Sequence, residues 1–177
     1  GPKSVLFQAQ KTGTSKTWIA AKSGQWKWLK GIKEASEPRN EWQKQHFSDA
    51  PWTTGTAPFG YGREGVQTAL NDMRSNYTTV YLRHEIELDS PDSMGSLQFH
   101  TTYDDGFAIW INEFELARIG LPAGELPFNG RAIESDFAPR EWSAVIPAAK
   151  IPSLTTGKNI VAVHLFNTRP DSTDLFF

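Results

Sequence analysis

The chain has 177 residues, room for one domain of ordinary size, and a chain this long buries roughly 70% of its unfolded surface without needing a staple. No apolar run approaches the roughly 20 residues of a membrane-spanning helix, and the absence of cysteine excludes disulfides, thiolate zinc sites and cysteine nucleophiles together. With 18 Lys/Arg against 20 Asp/Glu and a pI near 6.1, the chain lacks the charge of a nucleic-acid binder. The first 50 residues hold nine Lys/Arg against four Asp/Glu, and the remainder nine against sixteen. Either the two parts neutralise each other within one fold, or the scattered basic residues form a face for an anionic polymer. Seven Trp, 11 Phe and 4 Tyr, with 14 Gly and 11 Pro, favour an all-β chain rich in turns.

Gly1-Pro2 without an initiating Met reads as the scar of a cleaved tag. Residues 3–177 are then expected to be a single module excised from a larger chain. Trp18-Ile19-Ala20-Ala21 and Trp26-Lys27-Trp28-Leu29 read as short strands about the Ser23-Gly24 turn. Residues 34–76 read mostly as loop, which at that length must pack by its own side chains or carry function. Trp42, Phe47, Trp52, Phe59 and Tyr61 are the candidates for that packing. Within this stretch, residues 65–74 have room for two helical turns.

Residues 78–88 alternate cleanly. Leu82, His84, Ile86 and Leu88 fall on one face, while Tyr81, Arg83, Glu85 and Glu87 fall on a face expected to be solvated. Residues 96–103 repeat the pattern with Leu97, Phe99, Thr101 and Tyr103. Asp104-Asp105-Gly106 reads as a turn, followed by the apolar run 107–111, the Asn112-Glu113 turn and the run 114–119. A second long loop covers 120–141, and residues 160–166 form the best buried-strand run. Together these predict a two-sheet antiparallel β-sandwich of about eight strands with Leu82, Ile86, Phe99, Val161 and Val163 in its core.

Catalytic signatures are missing. There is no Gly-x-Ser-x-Gly elbow, His-Glu-x-x-His pair, phosphate loop or dinucleotide fingerprint. The four histidines are scattered and read as packing residues, the Glu85/Glu87 pair as a solvated face, and the Asn76-Tyr77-Thr78 sequon as a pattern that chance often supplies. Asp104-Asp105-Gly106 is the most pointed polar cluster. It reads either as turn chemistry or as two ligands of a structural calcium ion, with Asp171 and Asp174 as a source of further oxygens.

A series of motifs runs along the chain: Trp26-Lys27-Trp28-Leu29-Lys30-Gly31, Trp42, Trp52, Ala57-Pro58-Phe59-Gly60-Tyr61-Gly62 and Tyr81-Leu82-Arg83. It continues through Asp104-Asp105-Gly106, Trp110-Ile111-Asn112, Glu115-Leu116-Ala117-Arg118, residues 157–164 and Ser172-Thr173-Asp174-Leu175-Phe176. In order and spacing this series resembles the galactose-binding-like jelly-roll modules of large extracellular bacterial proteins, some attached to secreted hydrolases. The resemblance covers residues 24–177; residues 3–22 match nothing in it. Where such modules usually carry Asn-Gly, this chain has Asn112-Glu113, so the turn is expected to be longer or differently shaped.

The resemblance implies a jelly-roll β-sandwich with a non-catalytic accessory role, and the leading reading is a carbohydrate-binding module, extracellular or at the cell surface and monomeric. Such a module anchors its parent catalytic domain to a polysaccharide or oligosaccharide, an anionic one included, with no nucleic acid or membrane as partner. The alternative is a structural spacer in which Trp28, Trp42 and Trp52 simply fill the space beneath the long loop. Sugars are held by stacking on aromatic rings with a few polar groups fixing orientation. The expected ligand residues are therefore Tyr61 and Trp110 for stacking. Arg118, Asn129 and Arg131 would bond hydroxyls or pair with a uronate or sulfate.

Overall fold

The computed structural model describes residues 7–11, 14–19, 24–133 and 139–177. Its strands are β1 (Phe7–Lys11), β2 (Thr14–Ile19), β3 (Gln25–Lys30), β4 (Thr53–Thr56), β5 (Phe59–Tyr61), β6 (Thr68–Ala69) and β7 (Thr79–Leu88). They continue with β8 (Ser96–Tyr103), β9 (Gly106–Ile111), β10 (Phe114–Ile119), β11 (Arg140–Pro147), β12 (Gly157–Phe166) and β13 (Leu175–Phe176). Six strands form one sheet in the order β10-β9-β12-β7-β3-β4, and four form a second in the order β11-β8-β1-β2. Both are antiparallel throughout. Ten strands thus make up the sandwich where about eight were expected, and β13-β5-β6 add a small third sheet.

The alternating runs account for the core. Val80, Leu82, Ile86 and Leu88 of β7 meet Leu97, Phe99 and Tyr103 of β8 together with Phe107, Ile109 and Ile111 of β9 and Val161, Val163 and Leu165 of β12. All five core residues predicted from the sequence are at most 2% exposed, and each buried side chain of this size contributes roughly 1.5–3 kcal/mol. Trp142 of β11 closes the inter-sheet space edge-on against Phe107, 5.5 Å between centroids.

The other face of β7 departs from expectation. Glu85 and Glu87 are exposed, but Tyr81 and Arg83 are each only 1% exposed, because residues 31–52 fold over them. The Arg83 guanidinium donates to Asp49 Oδ2 at 2.9 Å and to the carbonyls of Lys44 and Phe47 at 3.2 Å each, and to that of Trp42. A charge that looks solvated in a strand pattern is here the buried anchor of a loop. The expected packing by loop aromatics follows: Trp42, Trp52 and Phe47 join Tyr81 and Trp110 in a second apolar layer outside the six-stranded sheet.

Three further expectations change. The 34–76 stretch carries β4, β5 and β6, and residues 65–74 form turns around β6 rather than a helix. In the close contact of β5 with β13, Gly60 and Gly62 have φ of 154° and 70° and face the carbonyls of Leu175 and Thr173, where a Cβ would collide. The Phe59-Gly60-Tyr61-Gly62 motif is therefore required by packing. Asn112-Glu113 is no longer than usual. It is a two-residue hairpin between Ile111 and Phe114, with both residues at positive φ (46° and 75°) as a type I′ turn demands. Asn112 holds it: its Nδ2 donates to Ser153 O and Asn159 Oδ1, and its Oδ1 accepts from the Ile160 amide, all at 2.8 Å.

Candidate ligand site

Strands β9 and β12 lie side by side, with Trp110 opposite Ala162 and His164 opposite Ala108. Their outward positions alternate bulky and small, and the two alanines leave room above the sheet for a ring from outside. Trp42 fills it from the short 3-10 turn Glu41–Gln43. Its indole stands edge-on to Tyr81 at 5.0 Å, Trp110 at 5.7 Å and His164 at 6.0 Å, and stacks on Trp52 at 6.2 Å. The His164 ring lies flat on Tyr81, 4.0 Å between centroids.

Beside this layer opens a cleft of about 620 Å3, inside the range of small-ligand sites. Its floor is Trp42, Trp110 and His164. One wall is the 37–43 segment with Glu37, Arg39, Asn40 and Gln43; the other is Arg118 with residues 124–126. Arg118 builds its wall by donating to the Pro122 and Gly124 carbonyls at 2.9 and 2.7 Å, while its Nε and Nη2 hold Glu115 at 3.1 and 2.7 Å. Arg39 crosses between the walls, 3.2 Å from Glu34 and ion-paired with Glu125. At the outer edge Lys44, and after it His46, pull the Glu41 carboxyl below its ordinary range. His164 is 1% exposed, and burial pushes its imidazole well below the usual histidine range, so it is neutral. Its Nε2 has no hydrogen-bond partner among the described residues. That corrects the expectation of a satisfied packing histidine.

Of the five expected ligand residues, the cleft brings together Trp110 and Arg118. Trp110 turns away from the sandwich core and still is only 6% exposed, because both faces of its strand are covered. Tyr61 lies outside the cleft. Its ring is in the main core, and its hydroxyl donates to Ser172 O at 2.8 Å and lies 3.0 Å from the Asn167 amide. Asn129 and Arg131 are exposed and line a separate hollow of about 280 Å3 with Tyr77 and Pro170. Trp42 and His164 are among the cleft residues that sequence reasoning did not assign to a ligand. The signal for them was a lone aromatic in a long loop and a lone polar residue in the most apolar strand.

The Asp104-Asp105-Gly106 segment links β8 to β9, carrying the chain from one sheet to the other. Asp104 accepts from Arg63 Nη2 at 2.9 Å, and the same nitrogen lies 2.6 Å from Asp174. Asp105 accepts from the Thr168 amide and hydroxyl, both at 2.9 Å. Burial, and then the Asp105 carboxylate, push the Asp104 carboxyl up to about 7 against the pull of Arg63. A guanidinium already stands between the carboxylates that would coordinate calcium. Among the described residues no group of three or more His, Cys, Asp or Glu is placed to hold a metal ion.

No protein-family model matches the chain, and no curated protein does. Among solved structures, the fold is similar to a β-glucuronidase from Ruminococcus gnavus, in complex with D-glucaro 1,5-lactone and with N1-substituted uronic isofagomine. Each of these two matches has a TM-score of 0.50 and 11% identity, and covers 94% of this chain. A β-glucuronidase from an uncultured Clostridium sp. aligns over 94% of this chain at 13% identity with a TM-score of 0.48. The chain spans only about 23% of the length of these enzymes. The all-β sandwich is thus a fold that occurs as one part of larger glycoside hydrolases.

Proposed function

We propose that this chain is a non-catalytic carbohydrate-binding module, extracellular or at the cell surface, that holds a parent enzyme on a polysaccharide. The observation that carries this reading is the cleft itself. Two residues singled out for sugar recognition, Trp110 and Arg118, line one opening of saccharide size with an aromatic floor and polar walls. The fold's occurrence as a fraction of β-glucuronidase chains supports a place beside a glycoside hydrolase. Affinity electrophoresis against a panel of plant and algal polysaccharides tests it, with wild type and Trp110→Phe compared. Retardation by one polymer, weakened in the variant while it keeps a cooperative melting transition, supports the site. Identical mobility on every polymer removes it.

A second reading has its own observation. Trp42, Trp52 and Trp110 are all at most 6% exposed and pack on one another, as a spacer domain with no ligand requires. Trp42 and Trp52 do fill the space beneath the loop as that reading expects, whereas Trp28 packs only partly buried against the main core. The same electrophoresis separates the two.

A further inference from the structure

We infer that the cleft selects an uncharged glycosyl residue and turns away uronates and other anionic sugars, an inference that rests on reading the cleft as a saccharide site. Its arginines are already engaged by this chain. Four bonds, to Glu115 twice and to the carbonyls of Pro122 and Gly124, occupy the Arg118 guanidinium. Arg39 is ion-paired with both Glu34 and Glu125, although its Nε makes no hydrogen bond among the described residues. The Arg118 guanidinium, held by a carboxylate on one side and two carbonyls on the other, presents no open fork to an incoming carboxylate. Glu37 adds another exposed carboxylate at the mouth. Counted with their ion-pair partners, the wall groups are more negative than positive, so an anionic sugar would shed its hydration for a repulsive surround.

The floor points the same way. Trp110 lines the floor, and an aromatic ring face is where sugar C–H groups pack. Behind it lies the Nε2 of His164, buried and without a partner among the described residues. Buried polar atoms are nearly always bonded, so an orphan against a cleft marks where a hydroxyl or a water belongs. A neutral imidazole can donate to or accept from a sugar hydroxyl. To answer a carboxylate it would have to take up a proton, which its burial opposes. Stacking surface, one neutral hydrogen-bonding nitrogen and pre-neutralised arginines together describe a site for a neutral hexose or pentose unit.

The test uses matched pairs that differ at the C6 carboxyl: galactobiose with digalacturonate, and galactan with polygalacturonate. Binding of each to the whole chain is followed by calorimetry and by the Trp110 indole resonance. The neutral partner is expected to bind, and the uronate roughly tenfold or more weakly. The double variant Glu37→Gln/Glu125→Gln, at two exposed positions, is expected to narrow that gap while its melting temperature stays near wild type. A uronate binding as tightly as its neutral partner overturns the inference and leaves the saccharide site standing. An unchanged gap in the double variant also overturns it. If no member of either pair moves the Trp110 resonance, the saccharide reading fails and this inference with it.

Discussion

Replacing Arg83 with Met keeps the length of the side chain and removes the guanidinium that bonds Trp42, Lys44, Phe47 and Asp49 to the sheet. Arg83 is fully buried, with a side chain 1% exposed, while its partner Asp49 is 28% exposed. The variant strands a half-buried carboxylate and the carbonyls of Trp42, Lys44 and Phe47. It also loses the guanidinium packed 5.1 Å from the Phe47 ring centroid. Breaking a buried ion pair by removing one partner costs roughly 3–5 kcal/mol, and solvent reaching Asp49 argues for the lower part of that range. For a domain of this size that is a fall of roughly 6–20 °C in melting temperature. Urea denaturation followed by tryptophan fluorescence measures the loss, and amide exchange locates it. Protection should fall first in residues 42–49 and only later in β12 and β7. Arg83→Lys should be intermediate, since it keeps a charge near Asp49 but cannot fork to three carbonyls. A loss below about 1 kcal/mol for Arg83→Met would refute the anchoring argument.

Three other consequences follow from the turns. Glu113→Gly should be neutral or stabilising by up to about 1 kcal/mol, because it relieves a left-handed residue, whereas Asn112→Ala, which removes three hydrogen bonds, should cost roughly 2–3 kcal/mol; denaturation curves giving the reverse order would contradict the turn assignment. Asp104 holds its proton in the folded state up to about pH 7, while the unfolded chain releases it near 4. Its contribution to stability is therefore full below about pH 4 and lost as pH rises toward 7. Asp104→Asn should flatten that part of the pH–stability curve, and an unaltered slope would show that Asp104 is ionised throughout. Calcium and chelator should leave the melting temperature unchanged, since the Arg63 guanidinium already lies against both Asp104 and Asp174; a rise with calcium that Asp105→Ala abolishes would assign an ion to the turn.

What could be read from the sequence was whatever period and turn chemistry dictate locally. The faces of β7, β8 and β12 followed from alternation, because a one-residue error in face would put Leu82 or Val163 into water. Tyr81 and Arg83 were misassigned for the opposite reason. Alternation says which residues share a face, but not whether a segment forty residues away will cover it. The same long-range event hides the cleft. Trp110 and Arg118 were legible as candidates, but their union with Trp42 and His164 depends on the 31–52 segment crossing β9 and β12. No local pattern encodes that crossing. Tyr61 lies away from the cleft because its motif is set by a backbone contact with β13, which brings together residues more than 110 positions apart. Asn112-Glu113 shows that a side chain with three good partners can replace the conformational freedom of glycine in the next position.

The central claim is that the cleft beside Trp110 holds a saccharide, and side-chain NMR of the 15N-labelled chain tests it most directly. Titration with a panel of neutral oligosaccharides should move the Trp110 indole Nε1–H and the Arg118 Nε–H together along one saturable curve. The buried Trp26 indole in the opposite core should stay in place. No movement at Trp110 up to millimolar saccharide, or shifts confined to the hollow around Asn129 and Arg131, would contradict the account.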